Sequence, residues 1–220
     1  MALCTAALAT LTGLSGCSGS LLPKPPAAAA RYTLDAMATP SAVPTGMPKV
    51  AAANANAPVL LVGQPSAAPG YDSARMLYQR QPQQLEAFAF HEWVAPPASL
   101  LAPLLLRALQ DTGAFRAVLL APTSGTGTLR LETEVMRLHQ DFNAQPSAVR
   151  LTLRAVLVDS ATRRVVGTQV FDATAPAGRD DPVAGAAAAQ QATQRVLGEL
   201  AAACAAWARS APSAPTTAAR

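Results

Sequence analysis

Few residues in this 220-residue sequence stand in a pattern that prescribes chemistry, and the clearest of them is a thiol. Leu14-Ser15-Gly16-Cys17 closes an uncharged, apolar, small-residue run that begins at Met1. This is the lipobox pattern. The thiolate of Cys17 takes a diacylglycerol, and small side chains at Ser15 and Gly16 let a signal peptidase reach the bond before it. Residues 1–16 are too few to cross a hydrocarbon core of about 30 Å, which takes ~20 helical residues. They read as a signal peptide, and because no Lys or Arg precedes the apolar run, the true start codon is expected upstream. The rival reading is an ordinary secretory signal with an incidental cysteine. The Pro/Ala-rich stretch that follows favours lipidation. A diacylglycerol and an N-acyl chain such as palmitate are thus expected on Cys17, with no other cofactor and no metal.

The remaining reactive residue types do not assemble into a reaction centre. Cys4 leaves with the signal, Cys17 is acylated, and Cys204 remains alone, at the spacing of a buried residue on a helix. The two histidines, His91 and His139, stand in no metal-ligand spacing. His91 and Glu92 are neighbours on an expected strand and so point to opposite faces. The sequence holds no nucleophile elbow, no Ser-x-x-Lys, no P-loop and no dinucleotide fingerprint. Asp180-Asp181 precedes Pro182, where acids favour a helix start. The chain is not expected to be an enzyme. A periplasmic hydrolase built on Ser73, His91 and His139 is the reading to be dismissed by mutation. Net charge is +4, carried by scattered arginines with no basic run beyond Arg163-Arg164, which favours a solvated basic surface over a nucleic-acid interface and is compatible with weak attraction to anionic headgroups.

What is left is recognition. Gly70 to Leu109 concentrates the large side chains of an alanine-rich sequence. Tyr71, Arg75, Met76, Tyr78 and Trp93 form the candidate partner interface, since these residue types are enriched at protein interfaces. Phe88, Phe90 and Trp93 are expected in the core. Arg75 and Tyr78 fall on opposite faces of one strand and so do not serve a single contact.

The elements that must position these residues follow from periodicity. Val59 to Val62 is a continuously apolar, buried strand. Ser73 to Gln79 and Leu85 to Trp93 alternate as strands, the second with Leu85, Ala87, Ala89 and His91 on one side and Phe88 and Phe90 on the other. Pro96-Pro97 starts a helix whose apolar face is Leu101, Leu104, Leu105, Ala108 and Leu109, and Gly113 stops it. Pro103 implies either a kink or a start near Ala102. Phe115 to Leu120 follows as a strand, which gives a right-handed β-α-β crossover with parallel strands. Leu129 to Leu138 alternates until the phase slips at Met136 to Leu138, which marks a bulge. Val149 to Leu157 and Val165 to Phe171 complete an antiparallel meander around an Asp159-Ser160-Ala161-Thr162 turn. A long helix from Pro182 presents Val196, Leu197, Leu200, Cys204 and Trp207 to the core. The fold class is α/β: a mixed sheet with one crossover, a meander and a C-terminal helix, both helices on a single face.

Against this background, Pro69-Gly70-Tyr71-Asp72-Ser73, Arg75-Met76, Tyr78, Phe88-Ala89, Trp93-Val94, Pro96-Pro97-Ala98 and Leu101-Ala102-Pro103-Leu104-Leu105 resemble the auxiliary lipoproteins of ABC-type transporters. Within that family they are most similar to the paraquat-inducible protein C type, which works with MCE-domain lipid carriers. The motif match covers about 40 residues, and beyond Gly113 only the order of strands and helices continues it. The resemblance implies an MCE-domain periplasmic partner, an inner-membrane permease and a cytoplasmic ATPase, with all ATP chemistry in those partners. It implies a role in docking or tethering the periplasmic end of a (phospho)lipid conduit, with a homo-oligomer as a further expectation. The expected organisation is signal 1–16; lipidated Cys17 and a tether over 17–56 with a short strand at 31–35; a domain over 57–208; and a tail over 209–220. Ser18 after the cysteine points to the periplasmic face of the outer membrane over the inner membrane. The other class of function kept open is a structural envelope lipoprotein for outer-membrane or peptidoglycan assembly without a transport partner.

Overall fold

The structure is a computed structural model and describes residues 28–35 and 56–210. Among the described residues, nine strands form one mixed sheet and two helices pack on it. β1 is Ala30–Tyr32, β2 Val59–Val62, β3 Ser66–Ala67, β4 Arg75–Gln81 and β5 Gln84–Trp93. Helix α1 spans Pro97–Asp111; β6 is Ala117–Leu120, β7 Leu129–Asp141, β8 Ala148–Asp159 and β9 Val165–Pro176; helix α2 spans Pro182–Ser210.

Strand β7 is the axis. On one side it pairs antiparallel with β8 along its whole length, and β8 pairs with β9. Its other side is shared by three short parallel strands in succession: β2 at Leu129 to Leu131, β3 at Glu134 to Val135 and β4 at Gln140 to Asp141. The sheet therefore divides into two arms. One arm adds β6 in parallel to β2, and the other adds β5 antiparallel to β4 and then β1 in parallel to β5. The crossover joins the adjacent parallel strands β2 and β6. The β4–β5 hairpin and α1 both lie in its connection.

The alternation of β7 explains its two environments. Leu129, Leu131, Thr133 and Val135 face the helices, while Arg130, Glu132 and Glu134 face outward. The pairing slips between Val135 and Arg137, where the sequence places the bulge, and from there Leu138 and Gln140 take over the core face. The outward face is laced by Arg154–Glu134, Arg150–Asp172 and Arg130–Glu132 ion pairs, each exposed and each adding little stability. The β8–β9 turn is tied by Asp159, whose Oδ1 accepts from the Ala161 and Thr162 amides.

Both helices cover the same face and touch each other. α1 runs from Pro97 to Asp111 in one piece and does not begin at Ala102. Pro103 removes only the bond to the Ser99 carbonyl, near the helix start. Gly113, at φ 64°, takes the left-handed conformation that ends it. α2 starts where Asp181 Oδ1 accepts from the Ala184 amide, and its Val196, Leu200 and Cys204 are fully buried against β8 and β9. Each buried leucine of this layer contributes about 1.5–3 kcal/mol. Burial pushes the Cys204 thiol up to about 12, so it is an inert small hydrophobe.

Candidate functional site

The lipobox residues Leu14, Ser15, Gly16 and Cys17 lie outside the described residues, as do most of the expected tether and the tail from 211 onward. The described chain begins just before β1, which pairs with β5 and so belongs to the sheet. Arg31 Nε donates to Glu92 Oε1 at 2.8 Å, and Tyr32 Oη sits 2.9 Å from His91 Nδ1 with the two rings stacked. Leu34 is buried in the core, and the Asp35 amide donates to Gln190 Oε1 on α2 at 2.8 Å. The folded unit thus takes in residues ahead of 57, and α2 extends it to Ser210. Whatever pulls on the segment ahead of β1 pulls on the sheet edge and on α2 together.

The five candidate interface residues are divided by the structure. Met76 and Trp93 are each 4% exposed and belong to the core. Arg75 is exposed on the opposite side of β4 from Tyr78, as alternation requires. Tyr78 is 9% exposed, and its hydroxyl donates to Glu86 Oε2 at 2.9 Å. It anchors an aromatic cluster that the sequence did not reveal. Phe88 lies 4.5 Å and Phe142 5.8 Å from its ring, and the Arg80 guanidinium lies over the Tyr78 and Phe142 rings at 5.0 and 5.9 Å. Phe90, expected in the core, is instead 54% exposed, while Phe88 packs inward and meets His91 edge-on. The cause is a bulge in β5, opposite Arg75 to Leu77. Leu85 and Phe90, both exposed, give the β4–β5 hairpin apolar surface.

Tyr71 lies elsewhere, over His139 on the outward face of β7. The rings stack with centroids 6.2 Å apart, and Tyr71 Oη is 3.2 Å from His139 Nδ1. His139 is 6% exposed. Burial, with the Arg137 and Arg150 guanidiniums, holds its imidazole below the ordinary value of 6.5 against a smaller opposing pull from Asp141. A depressed folded value means that stability is intact above pH 6.5 and is lost as pH falls towards that lower value. His139→Gln is expected to flatten the fall in stability between pH 7.5 and 5.5, read by urea denaturation at each pH. An unchanged slope would show that the imidazole titrates as in the unfolded chain. Carboxyls such as Asp159, depressed chiefly by the Thr162 amide, act near and below their ordinary 3.8 and leave this window clear.

Among the described residues no group of three or more His, Cys, Asp or Glu side chains is placed to hold a metal ion, and no helix is long and apolar enough to cross a membrane. An open groove of about 650 Å³ lies between α1 and α2 and runs from Asp35 and Gln190 to Arg209. Sequence reasoning placed the inward faces of both helices but not this outer seam, although Gly198, Ala201, Ala202 and Ala205 recur at one-face spacing along α2.

Comparison with known proteins adds the relationship. The family described as ABC-type transport auxiliary lipoprotein component matches residues 32–201, from β1 well into α2. A Xanthomonas campestris protein assigned to the DUF330 family superposes with a TM-score of 0.69 at 28% identity, covering 83% of this chain and 98% of its own. An uncharacterized protein of solved structure shares the fold, with a TM-score of 0.61 at 15% identity over 81% of this chain and 99% of its own. No curated protein matches the chain.

Proposed function

This chain belongs to the family of ABC-type transport auxiliary lipoprotein components, and on that premise we propose that it is a lipid-anchored docking subunit of an MCE-type lipid transporter. In this reading Cys17 carries the acyl chains and holds the protein at the periplasmic face of the outer membrane. The sheet and its two helices grip the periplasmic end of the conduit, and the permease and ATPase of the same system supply the ATP-driven work. The observation that carries the reading is the family match over 32–201, whose start coincides with the strand that links the tether to the sheet. The family is an auxiliary component and not a catalytic one.

Of the five candidate contacts this reading keeps Arg75, Tyr71 and the hydroxyl edge of Tyr78, as separate contacts because Arg75 and Tyr78 lie on opposite sides of β4, and adds the exposed hairpin residues Phe90, Leu85 and Arg80. A second copy of this chain in the assembly belongs to the same proposal. Purification of the tagged full chain from detergent-solubilised membranes is expected to bring down an MCE-domain protein, a permease and an ATPase together, identified by mass spectrometry. Phe90→Asp combined with Arg80→Glu is expected to reduce that recovery while leaving the chain folded. Recovery of peptidoglycan-binding or outer-membrane assembly proteins in their place would overturn the reading in favour of a structural envelope role.

A further inference from the structure

We propose that the groove between α1 and α2 is a binding site for a single-chain amphiphile with an anionic head. Its walls are apolar and shallow in side chain: Leu104 and Ala108 on α1 face Leu197, Gly198, Ala201 and Ala205 on α2. Small residues at i, i+3, i+4 and i+7 keep the seam open where larger ones would fill it. Its volume of about 650 Å³ lies within the 300–1,000 Å³ range of small-molecule sites, and the composition matches, being apolar with a few polar groups.

Those polar groups decide the ligand's charge. Arg107 is engaged by Asp111, to whose carboxylate oxygens its Nε donates at 3.1 and 3.2 Å. Asp35 lies at the other end of the groove from Arg209, where its backbone amide bonds Gln190. Arg209 also lines the groove and has no ion-pair partner among the described residues, so it is the cation left over. Thr193 lines the groove at 1% exposure, and its hydroxyl is buried without a hydrogen-bond partner. An amphiphile answers the walls and the cation: its hydrocarbon covers the alanine and leucine walls and its anionic group meets Arg209, while Thr193, about 24 Å earlier along α2, lies under the far end of the chain. Carboxylate and phosphate heads share this chemistry. The inference rests on the transport reading only for the source of the lipid, not for the geometry.

The test uses the full chain carrying Cys17→Ser, purified without detergent, with cis-parinaric acid as the fluorescent probe. Saturable binding at one site is expected, displaced by palmitate or by palmitoyl-lysophosphatidate, which separates the two heads. Hexadecanol and inorganic phosphate should compete poorly. Arg209→Gln is expected to weaken binding about tenfold, the size of one charge-assisted hydrogen bond. Gly198→Leu is expected to abolish it. A Cβ at Gly198 meets no atom within 4 Å, so the larger side chain enters the groove without disturbing the core. The exposed Ala202→Leu gives a second block if the first alters folding, which circular dichroism reports. Absence of saturable binding, or binding that survives both blocks, overturns the site. Binding that survives Arg209→Gln unchanged overturns the anionic head. Because Gly198→Leu should still co-purify with the transporter subunits, failure of the site and failure of the docking role remain distinguishable.

Discussion

Cys17→Ser is expected to move the chain from the membrane pellet to the soluble periplasmic fraction. On the lipidation proposal, the acyl chains are the anchor. No helix among the described residues is long and apolar enough to cross one. The net charge of +4 is scattered, whereas electrostatic attachment takes clusters of basic residues at about 1 kcal/mol each. By contrast, an acyl chain contributes about 0.8 kcal/mol per buried CH₂, and a diacylglycerol with an N-acyl group brings three chains. The difference is between stable attachment and almost none. The measurement is fractionation with a salt wash, with metabolic labelling by a palmitate analogue read in parallel. If the serine variant stays in the outer-membrane fraction and still takes the label, the anchor lies elsewhere and the lipidation proposal is wrong.

Where the sequence was legible, a change in side-chain polarity accompanied the change in backbone. In β7 the order Glu134-Val135-Met136-Arg137-Leu138 breaks the alternation of apolar and charged residues, so the bulge could be read directly. In β5 the same kind of event left no trace. Pairing passes from Arg75 with Glu92 to Leu77 with Ala87, so a step of two residues on β4 spans five on β5. The stretch Ala87-Phe88-Ala89-Phe90 alternates cleanly on paper, and an unbroken strand would send both phenylalanines to one side. The extra residues rotate Phe88 to the same side as His91 and leave Phe90 outside. Nothing in residue type marks this, because alanine and phenylalanine tolerate either face.

The candidate site was legible only in part, for a related reason. Interface-type residues can be counted in a sequence, but their grouping depends on contacts between distant segments. Tyr32 meets His91 across a parallel pairing, and Phe142 joins Tyr78 from the far end of β7. Met76 and Trp93 have the composition of an interface and the location of a core, since both environments favour large, soft side chains. The α1–α2 groove escaped notice because helical periodicity identifies the face that is buried. The seam left on the outer side depends on how far apart two helices settle.

The cost of crowding one point in the helix–sheet contact can be stated in advance. A Cβ on Gly167 would stand 2.2 Å from Cδ2 of Trp207 and 2.5 Å from Cγ and Cε2, with no room for even a methyl group. Gly167 lies in β9, the edge strand beyond β8, and the indole lies flat where a side chain would otherwise stand, with Phe171 at 6.5 Å. Glycine in a strand weakens it unless something covers the gap, and here the last turn of α2 does so. Gly167→Ala must therefore displace the ring, and overpacking of this kind costs about 1–3 kcal/mol. Trp207→Ala alone is destabilising too, by loss of the covered surface. In the double variant the clash is absent, and alanine even improves the strand. The two costs should fail to add, with a coupling of about 1–3 kcal/mol in urea denaturation. Additive costs would mean that the ring does not rest on Gly167, and that α2 is held to the sheet by its other buried residues, Val196, Leu200 and Cys204 among them.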